Sequence, residues 1–172
     1  MQGKNILIVG ASSGIGAALA ESLNLKGANV YSASRHEGAT PSVLHLDFDA
    51  KAPDYQVFAQ LPDQIHGFVY APGTINLKPF GRISMDDFKN DFQINVLGAI
   101  GILQAILPKM KRADGASVVL FSTVAVQTGM GFHSSIAASK GAIEGLTRSL
   151  AAEFAMQKFG SIALRLRSRT RL

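Results

Sequence analysis

Short apolar runs alternate with longer amphipathic stretches along the chain. The runs predict β-strands at about residues 5–9, 29–34, 43–46, 66–70, 116–121 and 162–164. The stretches predict helices at about residues 15–26, 55–61, 85–107 and 135–158, the second of them weak. Continuously apolar strands that alternate with helices are typical of a parallel sheet covered on both faces. Right-handed crossovers from the first strand then predict a doubly wound, Rossmann-like α/β fold with strand order 3-2-1-4-5-6.

A glycine-rich segment, Gly10–Gly16, lies between the first strand and the first helix, with glycines at its first, fifth and last positions. Three glycines in seven residues would weaken a helix, but they suit a sharp turn after a strand. The missing side chains let a pyrophosphate approach the backbone, where the free N–H groups of the next helix would bind it. Ser12 and Ser13 would add hydroxyl donors or cap the helix. The segment predicts a dinucleotide-binding loop, and a glycine turn without a ligand is the alternative.

The composition predicts a single compact domain over residues 1–165. A chain of 172 residues with 47% hydrophobic residues buries a sizeable core. The chain has no cysteine, which excludes disulfides and thiolate chemistry and fits a reducing compartment. We see no signal peptide and expect a cytoplasmic protein without a metal site. The longest apolar segment, 94–107, contains Asn95 and Gln104 and is too short and too polar to span a membrane.

The net charge of +5 comes mostly from the last eight residues, which contain four arginines. No aromatic residue interleaves them and no other basic face is evident, so we expect neither nucleic-acid nor membrane binding. Arg165 begins an alternation of arginines that a buried parallel strand could not carry. The sheet is therefore predicted to end near Arg165, and residues 166–172 to form a disordered basic tail.

The residues after the second strand bear on the choice of cofactor. A site that prefers NAD places an acid there for the ribose 2′-hydroxyl, whereas an NADP site places cationic or neutral groups there for the 2′-phosphate. This chain has Ser34, Arg35 and His36, and no acid before Glu37. Arg35 is a planar charged donor that suits a phosphate. The segment favours NADP(H), with NAD(H) possible and an ordinary exposed arginine as the alternative.

Residues 4–165 resemble the short-chain dehydrogenase/reductases. The motifs that carry the resemblance occur in the family's order: Gly10-x-x-x-Gly14-x-Gly16, Asp47-Phe48, Tyr70-Ala71-Pro72-Gly73, Phe92-Gln-Ile-Asn95-Val, Ser122-Thr123 and Ser139-Lys140. The third of them corresponds to the family's Asn-Asn-Ala-Gly and matches it only in the last glycine. The resemblance implies hydride transfer between a nicotinamide and a small carbonyl or alcohol. It implies cofactor contacts, with Asp47 at the adenine, by Gly10, Ser12, Ser13, Gly14, Ile15, Gly16, Ser34, Arg35, Asp47, Phe48, Ala71, Gly73 and Lys140.

The resemblance also implies catalytic roles for Asn95, Thr123 and Lys140. The lysine would hold the nicotinamide ribose, the Thr123 hydroxyl would orient the substrate carbonyl, and Asn95 would support a water relay. Ser122 is a neighbouring alternative to Thr123. A helix-surface lysine and a buried asparagine that bonds the helix backbone are the corresponding structural alternatives for Lys140 and Asn95.

One position departs from the family's pattern. The family has its proton-donating tyrosine four residues before the lysine, where this chain has Ile136. Isoleucine has no proton to give. The loss of the tyrosine as general acid would cost roughly 10²–10⁴-fold in rate. Tyr70 and His133 are alternative donors. A non-catalytic NADP(H)-binding protein or an inactive fragment therefore stands beside the oxidoreductase as a hypothesis.

The C-terminal segment departs as well. Residues 166–172 stand where the family continues with a further strand, a covering loop and more helices, so the chain looks like a family member cut short, by a change of reading frame. The apolar surface that this would expose predicts a homo-oligomer, formed through the helices near 85–107 and 135–158. In the family, these two helices form the four-helix bundle of a dimer.

Overall fold

The computed structural model of the protein describes residues 1–155 and 159–166. Within them, one parallel sheet is formed by β1 (Asn5–Val9), β2 (Asn29–Ser34), β3 (Leu44–Asp47), β4 (Gly67–Tyr70), β5 (Ala116–Thr123) and β6 (Phe159–Leu166). Its order, β3-β2-β1-β4-β5-β6, confirms the predicted doubly wound topology. The helices are α1 (Gly14–Leu25), α2 (Met85–Phe92), α3 (Gly98–Lys111), α4 (Ala125–Thr128) and α5 (Ser134–Glu153).

Both faces of the sheet are covered, as the apolar strands predict. Alternate side chains of β1 and β4 enter two cores: Leu7, Val9, Phe68 and Tyr70 join the larger one, and Ile6, Ile8 and Val69 the smaller. The larger core includes α3 and α5, and the smaller includes α1. Because all paired strands are parallel, their carboxyl ends lie along one edge, where open α/β sheets bind ligands.

The helix predicted at 85–107 is longer and less regular than expected. It starts at Met85 behind a capping box, in which Ser84 Oγ accepts from the Asp87 amide at 3.1 Å and the Asp87 carboxylate accepts from the Ser84 amide at 3.0 Å. The π-helical turn Gln93–Leu97 then joins α2 to α3. Pro108 lies within α3 without ending it, and the helix continues to Lys111. By length and composition, Met85–Lys111 is the one helix of the described chain that could span a membrane, and half of its apolar window is buried.

Three further elements differ from the prediction. The weak helix at 55–61 is a 3₁₀ helix, Tyr55–Gln60. The loop after β5 contains the short helix α4, which the sequence did not indicate. β6 continues to Leu166, the residue predicted to begin the tail, and pairs there with Thr123. The prediction assumed a strand buried within the sheet, whereas β6 is the edge strand of the described sheet. Residues 167–172 lie outside the described residues, as do residues 156–158 of the predicted last helix.

Candidate functional site

The glycine turn brings the start of α1 against the end of β1. A Cβ on Gly16 would lie 2.2 Å from the carbonyl oxygen of Gly10, so no larger residue fits there without a shift of backbone. Gly10 and Gly14 have φ angles of +80° and +56°, which L-residues with a side chain rarely adopt. A Cβ on Gly10 would also lie 3.1 Å from the nitrogen of Pro72 after β4. Close packing of β1, α1 and the β4 loop therefore requires Gly10 and Gly16, whereas Gly14 is required by its positive φ alone.

The N-terminus of α1 has no side-chain cap. Ser13 is the N-cap residue in extended conformation, and its hydroxyl makes no capping hydrogen bond. The first turn also contains no acidic residue. The first N–H groups of a helix have no partner within the helix, and the helix dipole makes this end partially positive. Of the two roles predicted for Ser13, the structure leaves its hydroxyl available to a ligand.

A cavity of about 510 Å³ opens beside this helix end. The loops that follow β1, β2, β3 and β4 form its wall, together with Ile94 of the π-helical turn. Of the residues predicted to bind a cofactor, the wall contains Gly10, Ser12, Ser13, Gly14, Ile15, Gly16, Ser34, Arg35, Phe48, Ala71 and Gly73. It also contains residues that sequence reasoning missed, namely Val9, Ala33, Asp49, Ala50, Lys51, Pro72, Thr74 and Ile94. Most of them flank predicted residues in the chain, which was the available signal.

Asp47 does not line this cavity. It ends β3 beside Ser34, at the predicted edge of the sheet, but its side chain is exposed. The next two residues, Phe48 and Asp49, line the cavity instead. The loop after β3 thus lines the cavity, and its acid that faces the cavity is Asp49.

Two exposed cations stand at the mouth of the cavity, Arg35 after β2 and Lys51 after β3. The Arg35 guanidinium has no hydrogen-bond or ion-pair partner among the described residues. Ser34 beside it is buried, and its hydroxyl donates to the carbonyl oxygen of His36 at 2.8 Å. The cavity therefore presents an unpaired guanidinium after β2, where the sequence predicted phosphate recognition, and the Lys51 ammonium after β3, which the sequence did not predict.

Lys140 and Asn95 meet near Gly73, behind the cavity wall. A Cβ on Gly73 would lie 3.3 Å from Asn95 Oδ1 and 3.7 Å from Lys140 Nζ. Asn95 is fully buried and Lys140 is 8% exposed. Burial disfavours the ammonium form and lowers the pKa of Lys140 to about 8. Within the described chain, neither Lys140 Nζ nor Asn95 Oδ1 has a hydrogen-bond partner, so both are available to a ligand or to water.

The two N–H groups of the Asn95 amide are occupied. Asn95 Nδ2 donates to the carbonyl oxygen of Asp91 and to Thr74 Oγ1, both at 2.8 Å. The first bond is the backbone role that we considered as the structural alternative. It inserts a side chain into the helical ladder, which accounts for a π-helical turn at this residue. Asn95 thus both supports the helix and presents a free oxygen beside Lys140.

Thr123 and Ser122 face different environments. Ser122 is buried, and its hydroxyl donates to Glu144 Oε1 of α5 at 2.7 Å. Thr123 is half-buried, and its Oγ1 accepts from the amide of Ala125 at 3.3 Å. The Thr123 proton is therefore left for another acceptor, which favours Thr123 over Ser122 as the hydroxyl that meets a substrate.

Neither alternative proton donor lines the cavity, and neither do Thr123, Asn95 and Lys140. The contacts of the two alternative donors decide against them. Tyr70 is 2% exposed, and its phenol donates to the carbonyl oxygen of Ile94 at 2.5 Å inside the core. Burial raises the pKa of Tyr70, so this phenol is a poorer acid than a free one. His133 lies on the loop before α5, where its Nδ1 donates to the carbonyl oxygen of Gly131 at 2.6 Å. The structure does not support either residue as a substitute at Ile136, which is itself 5% exposed.

Comparison with known proteins places nearly the whole described sheet in one family. The family model for short chain dehydrogenases matches residues 4–164. A tropinone reductase homolog of Arabidopsis thaliana is 28% identical, with 95% of this chain and 69% of that protein aligned. The human retinol dehydrogenase 8 is 30% identical over 86% of this chain and 53% of its own length. The D-threitol dehydrogenase of Mycolicibacterium smegmatis is 29% identical, with 90% of this chain and 65% of that protein aligned. The chain thus spans about half to two thirds of the length of these curated relatives.

Solved structures agree with the fold. A short chain dehydrogenase from Escherichia coli CFT073 superposes with a TM-score of 0.87 at 24% identity, over 96% of this chain and 80% of that one. A short chain dehydrogenase from Shigella flexneri, complexed with NADP, has a TM-score of 0.88 at 23% identity. The match covers 96% of this chain and 77% of that one. At these identities the likeness supports the fold.

Lys140 makes the stability of the protein depend on pH. Burial lowers its pKa to about 8 from the usual 10.5. Between these values the unfolded chain binds more protons than the folded one, so the free energy of unfolding rises with pH. Lys140→Met removes this contribution. The difference in free energy of unfolding between wild type and Lys140→Met, measured by urea denaturation, is expected to change by about 2 kcal/mol in favour of wild type from pH 7 to pH 9.5.

Lys26→Met is the control for a lost lysine, because Lys26 is exposed at the far end of α1. If the difference in free energy of unfolding between wild type and Lys140→Met stays constant from pH 7 to pH 9.5, this would contradict the burial of a titrating ammonium at Lys140.

Proposed function

Because the chain belongs to the short-chain dehydrogenase family, we propose that it binds NADP(H) at the carboxyl ends of β1 to β4 and exchanges a hydride with a small carbonyl or alcohol. The observation that carries this proposal is the uncapped N-terminus of α1, held by the glycine turn in the wall of a 510 Å³ cavity. Residues 1–165 act as one dinucleotide-binding domain.

The cavity fits a dinucleotide for three reasons. Glycines at 10, 14 and 16 leave the backbone N–H groups open to a pyrophosphate, which the dipole of α1 stabilises. Arg35 and Lys51 bring two cations to the mouth of the cavity. No carboxylate follows β2 before Glu37 to bind the ribose 2′-hydroxyl, so a 2′-phosphate is favoured there. We infer that NADP(H) binds more tightly than NAD(H). The NADP in the Shigella flexneri structure supports this choice.

The reactive end of the site lies beside Gly73. Bound NADP(H) supplies the hydride donor or acceptor. The Thr123 hydroxyl donates a hydrogen bond to the substrate oxygen and so orients the carbonyl. Lys140 holds a proton at Nζ near neutral pH, and in carbonyl reduction this proton passes to the substrate oxygen and leaves a neutral amine. Its lowered pKa makes this transfer easier than from an exposed lysine.

A second function is favoured by one observation, the buried Ile136 at the tyrosine position of the family. Without a phenol, the chain would bind NADP(H) and catalyse little or nothing. It would then act as a sensor or as a partner of an active subunit. Both functions need the same cavity, and they differ only in the proton donor.

We also propose that the chain forms a homo-oligomer in the cytoplasm, without nucleic-acid or membrane partners. Phe92 and Leu97 are 39% and 46% exposed on the helix Met85–Lys111, which is apolar surface that a second copy would cover. The absence of cysteine supports a reducing compartment.

Arg35→Ser tests the phosphate site. We expect the Kd of NADPH, measured by its fluorescence, to rise about tenfold, because a charge-assisted contact to an exposed phosphate is lost. The Kd of NADH is expected to stay within about twofold, since that dinucleotide lacks the 2′-phosphate. Lys26→Ser, at the opposite end of α1, controls for the change in net charge. An equal rise in the Kd of NADPH and of NADH would show that Arg35 does not contact the 2′-phosphate.

Ile136→Tyr tests the proton donor. With a panel of ketones and aldehydes, we expect NADPH oxidation to increase at least roughly 10²-fold over wild type, because a phenol four residues before Lys140 faces the same way on α5. Ile136→Phe adds the ring without the hydroxyl and should give no gain. Equal turnover by wild type and Ile136→Tyr would show that the isoleucine does not limit catalysis. NADPH binding without any wild-type turnover would favour the non-catalytic function.

A further inference from the structure

We propose that Asp91 is a positioning residue that fixes the direction of the Asn95 amide and so presents Asn95 Oδ1 to Lys140. The inference deepens the proposed function and rests on it, because it treats the Lys140 end of the cavity as the reactive end. It concerns a buried carboxylate to which neither the motifs of the sequence nor the reaction above assigns a role.

Asp91 is fully buried on the last turn of α2 and joins three parts of the structure. Its Oδ1 accepts from Thr74 Oγ1 at 2.5 Å and from Asn76 Nδ2 at 3.0 Å, both on the loop after β4. Its Oδ2 accepts from Ser135 Oγ at the start of α5, at 2.5 Å. A buried carboxylate is costly unless donors surround it, and here three neutral side chains supply them.

The donor and acceptor roles in these hydrogen bonds determine which way the Asn95 amide points. A hydroxyl has one proton, and Thr74 gives it to the carboxylate of Asp91. Thr74 Oγ1 is then left to accept, and it accepts from Asn95 Nδ2 at 2.8 Å. The other proton of Asn95 Nδ2 goes to the backbone carbonyl of Asp91. A flipped amide would turn Oδ1 against two acceptors, so this network allows one direction only.

The consequence appears at the cavity. With Nδ2 fully used, Asn95 Oδ1 faces the side of Gly73, where Lys140 Nζ also lies. An oriented carbonyl oxygen stabilises the ammonium form of Lys140 through a bridging water, whereas an NH₂ group there would oppose it. Asp91 therefore acts on Lys140 through Thr74 and Asn95. It contacts Thr74 of the cavity wall but does not line the cavity itself.

Few other charges surround this part of α5. Among the elements packed against it, β5, α4 and the π-helical turn carry no titratable residue. Asp91 is the buried charged residue of α2, and β6 carries Arg165 at a register position opposite β5. On α5 itself, Glu144 follows Lys140 by one turn and pairs with Arg148 at 3.7 Å. A change in the titration of Lys140 on editing Thr74 therefore reports the Asn95 amide, since all these charges stay in place.

Thr74→Val and Thr74→Ser are the decisive pair. Valine has the shape of threonine without the hydroxyl, while serine keeps the hydroxyl, and neither substitution adds or removes a charged residue. The titration of Lys140 is read from the pH dependence of amine acetylation, resolved by mass spectrometry of the peptide that contains it. The titration midpoint of Lys140 is expected to fall by roughly half a pH unit or more in Thr74→Val and to stay at the wild-type value in Thr74→Ser. The Kd of NADPH is expected to rise about fivefold in Thr74→Val only.

Asp91→Asn should reproduce the effect of Thr74→Val, because an amide in place of the carboxylate no longer forces the direction of the Thr74 proton. Ser135→Ala removes another donor to Asp91 and leaves Thr74 intact, so it should lower stability without moving the Lys140 midpoint. An unchanged midpoint in Thr74→Val, or an equal shift in Ser135→Ala, would overturn the proposal. If wild type fails to bind NADPH, the proposed function fails, and the Lys140 titration still decides the role of Asp91.

Discussion

The site depends on one close approach, that of Gly16 to the carbonyl oxygen of Gly10. With a Cβ only 2.2 Å from that oxygen, any other residue at position 16 would push α1 away from β1. The contact directs the uncapped N–H groups of α1 toward the carboxyl edge of the sheet. The parallel sheet then brings the loops after β2, β3 and β4 to the same edge, with Arg35, Lys51 and Gly73 on them. The cavity is thus a consequence of strand direction and of three missing side chains.

A second constraint acts behind the cavity wall at Gly73 and Thr74, where polar groups are buried. Lys140 is 8% exposed, and Asn95 and Asp91 are fully buried. In such surroundings a charge or an unpaired oxygen is expensive, so the groups that remain unpaired mark where a ligand or water belongs. Asp91 is satisfied by three donors, whereas Lys140 Nζ and Asn95 Oδ1 have none in the part of the chain that the structure describes. The two ends of the site therefore bind by different physics: free backbone dipoles and exposed cations at one, and desolvated side chains at the other.

The sequence predicted the features that local rules determine. Glycine spacing after an apolar run specified the turn at Gly10–Gly16, and alternating strands and helices specified the strand order. It did not predict features that depend on distant contacts. Asp91 is hydrogen-bonded to Ser135 and Thr74, which are 44 and 17 residues away in the sequence. No local pattern around Asp91 could therefore predict its role. The π-helical turn arises from the side chain of Asn95, which breaks the regular ladder that periodicity assumes. Which of Asp47 and Asp49 faces the cavity depends on the course of the loop after β3, which residue type does not specify.

The central claim, that NADP(H) binds between the glycine turn and the β4 loop, is tested most directly by hydrogen–deuterium exchange resolved by mass spectrometry. The amides of residues 12–17 and 71–74 that have free N–H groups should exchange more slowly at saturating NADPH, because the bound pyrophosphate and ribose cover them. The exposed end of α1 near Lys26, which lies away from the cavity, should exchange as in the free protein. Unchanged exchange over residues 12–17 and 71–74 at saturating NADPH would contradict the account.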